Sequence, residues 1–223
     1  MPLEKQELRI LEQRESWIAV QKPAGVSSES DGMGELIARA LGRPAAQVFP
    51  VHRLDRDVAG VMVYALNRKA AAFLSRASAE HRMQKTYLAL AEGIPPEKAG
   101  RWEDLLYHDP RRNKTFVVKR PRRGVKTAAL EYRVLRCIPA EEPGNDTGRT
   151  LSLLEIRLET GRSHQIRVQC ASRGMPLAGD RKYGGSPWRE TGLYAWQLRF
   201  PDPDTGEERT YTMETPVPFL NVP

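Results

Sequence analysis

The sequence predicts an α+β fold, strands in runs with a few helices, and three observations carry that reading. Beyond Thr115 nearly every recognisable segment is extended: Thr115–Lys119, Thr127–Leu135, Leu151–Glu159, Tyr194–Phe200 and Arg209–Glu214. The run GVMVYAL at Gly60–Leu66 is almost wholly apolar, as in a central strand covered on both faces. Strands and helices do not alternate in the βαβ rhythm of a doubly wound parallel sheet.

In chain order, Leu8–Ile10 and Trp17–Val20 read as two short strands around the charged turn Glu12–Ser16. Lys22-Pro23-Ala24-Gly25 closes the second, since proline removes a donor and glycine permits a reversal. Met33–Leu41 is a short helix ended by Gly42 and Pro44. Gln47–Val51 is a strand that feeds the loop His52–Gly60. After the apolar strand, Asn67 caps a helix from Lys69 to about Glu80, with Ala70, Phe73, Leu74 and Ala77 on one face. Lys85–Ala91 is a strand stopped by Gly93 and Pro95-Pro96. PGNDTG at Pro143–Gly148 is a hairpin tip. Ser163 is the expected N-cap of a helix over His164–Ser172, with Gly174 as its stop. No repeat, low-complexity tract or linker interrupts the chain, which reads as one continuous domain over 1–223.

The chain has 223 residues, long enough to bury about 70% of the surface its unfolded form exposes. Two cysteines, Cys137 and Cys170, with no CxxC and no secretory leader, place it in a reducing compartment, and we expect a cytoplasmic protein. No apolar run approaches the roughly 20 residues of a membrane-spanning helix. Lys and Arg number 35 against 28 Asp and Glu, for a net charge of +7 and a pI of about 9.6. Of the bases, 26 are Arg and 9 Lys. Arg offers a planar fork for phosphate and a flat face for bases, so the excess favours a polyanionic partner. Genome composition produces the same excess.

Two segments concentrate chemistry. In His52-Arg53-Leu54-Asp55-Arg56-Asp57, charged residues stand at the mouth of the apolar strand, where they are costly unless paired or used. In an extended stretch Asp55 and Asp57 share a face, which suits a paired-carboxylate or metal site; a solvated loop has the same pattern. In Glu159–Val168 (ETGRSHQIRV), a glycine turn precedes a helix N-terminus with Arg162, His164 and Arg167 close by. That is an arrangement for anions, or an ordinary capped helix with surface charges. The four histidines make neither HExxH nor a ligand spacing with the cysteines, and GxSxG, GxxxxGK[ST] and GxGxxG are absent. Metal-dependent, serine-hydrolase and nucleotide-dependent enzymes are therefore disfavoured.

Taken together, these segments resemble the RluA-type pseudouridine synthases. HRLDRDVAGVMVYALN resembles that family's catalytic motif, QKPAG its first motif, KTYLALAEG its tyrosine motif and ETGRSHQIRVQCASRGMPLAGDRKYGG its arginine motif. LYAWQLRFPDPDTGEE and ETPVPF resemble its closing strands. The blocks keep the family's order over roughly residues 8 to 218. The resemblance implies a mixed, largely antiparallel central sheet with flanking helices and a central active-site cleft. It implies an isomerase that turns specific uridines of structured tRNA or rRNA into pseudouridine by base flipping, with no cofactor, no metal and no nucleotide.

Residue by residue, Asp55 matches the family's catalytic aspartate, Tyr87 the tyrosine that packs on the target base, and Arg167 the arginine that pairs with the aspartate. Lys85 and Ile166 match flanking active-site positions, and Lys22 a motif of more structural role. Val58-Ala59 departs from the usual Thr-Ser, and Gln169 stands where His is common. Arg53 either fills the hole left by the flipped base or forms an ion pair. Arg162 and His164 are expected on the substrate side. Many relatives carry an N-terminal S4-type domain; with KPAG starting at residue 22 none is expected here, and the catalytic domain itself must bind substrate. The basic stretch Arg111, Arg112, Lys114, Lys119, Arg120, Arg122, Arg123 and Lys126 is either a phosphate-gripping arm or a solvated edge hairpin. The alternatives are a catalytically idle RNA-binding or RNA-chaperone protein, and a two-carboxylate nuclease built on Asp55 and Asp57. A monomer is expected.

Overall fold

The computed structural model describes residues 8–142 and 145–213. It is sheet-dominated with few helices, the α+β class that the sequence indicates. By internal contacts the chain divides into two compact units, Met1–Lys85 with Tyr194–Pro223, and Thr86–Leu193.

The first unit is built around β4 (Ala59–Ala65), every residue of which is buried, as its unbroken apolar run requires. β2 (Trp17–Lys22) pairs antiparallel along its whole length, from Trp17 opposite Ala65 to Lys22 opposite Gly60. β1 (Arg9–Gln13) pairs antiparallel with β2. On the other side of β4, Ala59 and Gly60 pair in parallel with Tyr194 and Ala195 of β10 (Leu193–Pro201), and β11 (Glu208–Thr212) returns along β10 as a hairpin. The two-residue β3 (Phe49–Pro50) adds to the far end of β4. One face of this sheet packs Val61, Val63 and Ala65 with Trp17, Leu198 and Phe200 under Ala70 and Leu74 of α2 (Arg68–Ala79). Fully burying a side chain such as Leu74 stabilises by about 1.5–3 kcal/mol. Asn67 caps α2 as expected, its Oδ1 accepting from the Ala70 amide at 2.8 Å. From the other face the Tyr64 hydroxyl donates to the Ser28 carbonyl at 2.9 Å, tying β4 to the segment before α1 (Glu35–Ala40). A wide helical turn at Ser30–Gly34 leads into α1, so the helix expected from Met33 begins earlier. The strand expected over Gln47–Val51 is shorter, because Ala45–Gln47 forms a 3-10 turn.

The second unit is an antiparallel sheet with the strand order β5-β9-β8-β6-β7. Its strands are β5 (Gln84–Glu92), β6 (Ala99–Asp109), β7 (Lys114–Val118), β8 (Val125–Glu142) and β9 (Asn145–Leu158). β6 is a strand that the sequence reading omits. The expected hairpin tip at Pro143–Gly148 falls partly outside the described residues, and within it Asn145 already pairs with Glu142. The Glu214 end of the last expected strand and the ETPVPF block also lie outside the described residues. Helix α3 (Gln165–Ser172) follows β9. Val168 packs with Leu106 and Ala128 of the sheet, with Tyr183 against them.

Candidate active site

In the first unit, Asp55 sits in the loop between β3 and β4, half-buried, between buried Leu54 and exposed Arg56. The loop closes as a turn: the Val58 amide donates to the Asp55 carbonyl at 3.1 Å. Asp55 and Asp57 thus lie on a turn rather than on one face of an extended stretch, which corrects the geometry expected of them.

Lys22 organises this loop. Its side chain is wholly buried, and Nζ donates to the carbonyls of Pro23, Val26 and Arg56 at 2.9, 2.7 and 2.9 Å. Arg56 answers by donating Nε to the Gly25 carbonyl at 2.9 Å, and its own carbonyl accepts from the Gly25 amide at 2.8 Å. The KPAG turn and the Asp55 loop are therefore stapled together at the end of β2. Burial pushes the Lys22 ammonium down to about 8, opposed by the negative charges of Asp57 and Asp55. One cation is thus held under the carboxylate-bearing loop.

His52, at the loop's start, is buried, and its Nε2 accepts from the Val63 amide at 3.2 Å. Burial, aided by the charge of Lys85, holds its pKa well below the usual histidine range, so it stays neutral. Burial also lowers Lys85. Arg53 is exposed and pairs with Glu29 at 2.7 Å.

In the second unit, Tyr87 is a buried residue of β5, opposite Ile156 of β9. Ile166 and Arg167 are buried in the first turn of α3. Arg167 forms a bidentate ion pair with Asp180, Nε to Oδ2 at 2.7 Å and Nη2 to Oδ1 at 2.8 Å, in side chains only 4% and 0% exposed. Its guanidinium also lies 5.3 Å from the ring centroid of Tyr183. The Tyr183 hydroxyl accepts from the Thr115 amide at 2.8 Å and meets His164 Nδ1 at 2.9 Å.

The start of α3 differs from expectation. Its N-cap residue is His164, in the left-handed region at φ 54°, and Ser163 makes no side-chain cap. The Ser163 carbonyl instead accepts from the Thr115 hydroxyl at 2.8 Å. Gln165 ties down the loop before the helix, its Oε1 accepting from the Arg162 amide and the Thr160 hydroxyl. Arg162 is exposed and donates Nε to the Thr127 carbonyl at 3.0 Å. Gln169 is fully buried and donates to Asp104 at 2.7 Å, while its Oε1 has no partner among the described residues.

The basic residues gather on the β6–β7–β8 edge of this unit. Arg111 and Arg112 lie in the β6–β7 turn, with their amides on Asp109. Lys114 opens β7, its Nζ 5.2 Å from the Tyr183 ring centroid. Lys119, Arg120, Arg122 and Arg123 follow β7, all exposed, with the Arg122 guanidinium 4.8 Å from the Tyr107 ring centroid. Asp180 and Tyr183 are residues that sequence reasoning passed over. The signal was LAGDRKYGG, an acid and an aromatic three apart in a glycine-flanked turn.

Among known proteins, the family model described as RNA pseudouridylate synthase matches residues 16–172. A Haemophilus influenzae protein named as an uncharacterized RNA pseudouridine synthase is 32% identical over 200 residues, covering 87% of this chain and 82% of its own. The tRNA pseudouridine synthase C of Vibrio parahaemolyticus is 30% identical, with 91% of this chain and 88% of its own covered. The ribosomal large subunit pseudouridine synthase D of Neisseria meningitidis is 33% identical over 95% of this chain, which spans 58% of that protein. Among solved structures, human RNA Pseudouridylate Synthase Domain Containing 1 has the same fold, with a TM-score of 0.77 and 24% identity over 97% of this chain and 86% of its own.

Proposed function

We infer the activity from one premise: this chain belongs to the RNA pseudouridylate synthase family. It is an RNA-modifying isomerase that converts uridine to pseudouridine. The observation that carries this reading is the match over residues 16–172, a span that contains Asp55, Tyr87 and Arg167 together. The match runs from the first compact unit into the second, so we read the two as one catalytic domain.

The reaction breaks the N1–C1′ bond, turns the base and joins C5 to C1′; C5 loses a proton and N1 gains one. Nothing is oxidised or reduced, so the reaction needs no cofactor. Asp55 acts on the sugar as an ionised carboxylate, as nucleophile at C1′ or as base at C2′. The Lys22 staple supports that role by fixing the loop and placing a cation within reach of its charge. Arg167 serves as the fixed cation of the site, a role suited to a guanidinium whose plane Asp180 already sets. Tyr87 receives the flipped base on its ring, a contact worth about 1–3 kcal/mol, against the few kcal/mol that unstacking costs. Lys85, Ile166, Arg162 and His164 line the substrate side. Arg53 is suited to fill the vacated stack, because its exposed pair with Glu29 is of a kind worth about 0–1 kcal/mol and is easily exchanged.

The substrate class we propose is structured tRNA or rRNA, the RNAs for which two of the relatives are named. The enzyme works as a monomer in the cytoplasm. The basic β6–β7–β8 edge grips phosphate, with Arg111, Arg112, Lys114, Lys119, Arg120, Arg122 and Arg123 as its contacts.

The test is pseudouridine mapping, by carbodiimide labelling and primer extension, on total RNA from a deletion strain complemented with wild type or Asp55→Asn. One or more sites lost and restored only by the wild type would establish activity, substrate and the role of Asp55. Restoration by both variants would remove Asp55 from the mechanism. If no site changes, the purified chain incubated with bulk transcript in EDTA decides. Pseudouridine formed there supports the isomerase, strand cleavage that needs added metal supports a nuclease, and binding without product supports an idle RNA-binding protein.

A further inference from the structure

Asp180 and Tyr183 are the two ends of one turn, closed by the Tyr183 amide donating to the Asp180 carbonyl at 3.1 Å. The Gly185 amide donates to the same carbonyl at 2.9 Å. This turn cannot easily relax. A Cβ at Gly185 would meet the Leu177 carbonyl oxygen at 2.0 Å, and one at Gly179 the Glu190 carbonyl oxygen at 2.1 Å, backbone in both cases. From this turn the Asp180 carboxylate takes the edge of the Arg167 guanidinium and the Tyr183 ring lies against it. A carboxylate at the edge sets the plane of a guanidinium. A ring against it hinders tilting out of that plane.

The Tyr183 hydroxyl anchors the ring in turn. Thr115 of β7 donates its amide to that oxygen, and His164 Nδ1 lies within hydrogen-bond distance of it on another side. Thr115 also holds the Ser163 carbonyl through its own hydroxyl. His164 is the left-handed residue from which α3 starts, a conformation that costs about 1–3 kcal/mol and persists only where its surroundings enforce it. One side chain therefore braces both the guanidinium and the start of the helix that carries it.

We propose that Tyr183 is a positioning residue for Arg167: its ring and hydroxyl, acting with Asp180, hold the guanidinium in its working orientation without touching substrate. This rests on the reading that Arg167 acts in the reaction.

The test uses the full chain and a transcript carrying the uridine found by mapping, with Tyr183→Phe, Tyr183→Leu and, as control, Arg167→Lys. Single-turnover rate and RNA dissociation constant are measured separately. The Nε–H signal of Arg167 is followed in a spectrum of protein with 15N-labelled arginine. Tyr183→Phe keeps the ring and should slow turnover roughly tenfold, and Tyr183→Leu on the order of a hundredfold, the scale of a small misplacement in a site. RNA affinity should stay within about twofold, and exchange of the Arg167 Nε–H should speed up in the same order. A folded Tyr183→Leu that turns over at the wild-type rate overturns the proposal. So does a loss of rate matched by an equal loss of RNA affinity, or an Arg167 Nε–H that exchanges as in wild type. If Tyr183→Leu does not fold, Tyr183→Phe decides by the same two readouts. Should Arg167→Lys turn over normally, the reading of Arg167 fails, whereas the exchange data still judge whether Tyr183 fixes it.

Discussion

Lys22 donates its Nζ to the carbonyl oxygen of Arg56, joining segments 34 residues apart in sequence and fixing the residue directly after Asp55. The same ammonium also holds Pro23 and Val26, so all three of its protons are used. The KPAG turn thereby becomes the floor of the Asp55 loop.

Activity and stability should part above pH 8. In the fold the Lys22 ammonium is lowered to about 8 by burial, against 10.5 for an unperturbed lysine. Between these values the unfolded chain binds more protons than the folded one, so this group's contribution to stability rises with pH across the window. In the same window the ammonium loses the proton that completes its three bonds and places positive charge near Asp55. Single-turnover rates should therefore fall above about pH 8 while urea midpoints hold or rise. Lys22→Met should flatten both trends. It should also cost about 2–4 kcal/mol at pH 7, because buried carbonyls lose their donor.

Removing Asp180's charge should cost more. Asp180→Asn takes the carboxylate charge away from one edge of a buried Arg167 guanidinium, in side chains 4% and 0% exposed. Breaking such a pair from one side costs about 3–5 kcal/mol. Urea titrations should show a lowered midpoint at an unchanged slope. A loss under about 1 kcal/mol would mean that another acid takes over the guanidinium.

Particular residues show what the sequence made legible. β4 was readable because a strand covered on both faces has no polar positions to blur it, and Asn67 because an N-cap acts within three residues. β6 was not. Over Ala99–Asp109 the buried residues are Trp102 and Leu106, four apart, a spacing that one face of a helix and one face of a strand share; the strand is decided by its pairing to β8 and β7. The same division runs through the site. Asp55, Tyr87 and Arg167 stand in contiguous motifs. The Arg167–Asp180 pair spans 13 residues and a turn without periodicity, so only the folded chain reveals it. The Ser163 cap failed because the helix starts one residue later, from left-handed His164, and the Gln165 amide that a serine cap would have served donates to the Arg162 carbonyl instead.

Gly60 should tolerate no side chain. Its φ is +144°, and a Cβ there would meet the Ala195 carbonyl oxygen at 2.3 Å, across the parallel pairing of β4 and β10. The obstacle is backbone, so the strands must separate rather than a side chain swing aside. Gly60→Ala should cost more than about 3 kcal/mol, through strain at an unfavourable backbone angle together with overpacking. It should show as a lowered thermal midpoint or loss of soluble protein. Gly25→Ala, in open space at φ +84°, should cost less because only the strain applies.

The basic edge should declare itself through salt. Lys119, Arg120 and Arg123 are exposed and make no ion pair among the described residues, so replacing them leaves no buried charge behind. If each contacts a phosphate, the triple change to Ser should weaken RNA binding and reduce the slope of log K against log salt by roughly two. The thermal midpoint should stay put, since surface substitutions of this kind are worth about 0.5 kcal/mol or less each. Filter binding from low to moderate salt measures the slope directly. An unchanged slope would make these residues guards of the exposed β7 edge, where lysine and arginine prevent pairing with another chain. That role has its own signature, because the same triple variant would then aggregate more readily than wild type while binding RNA as before.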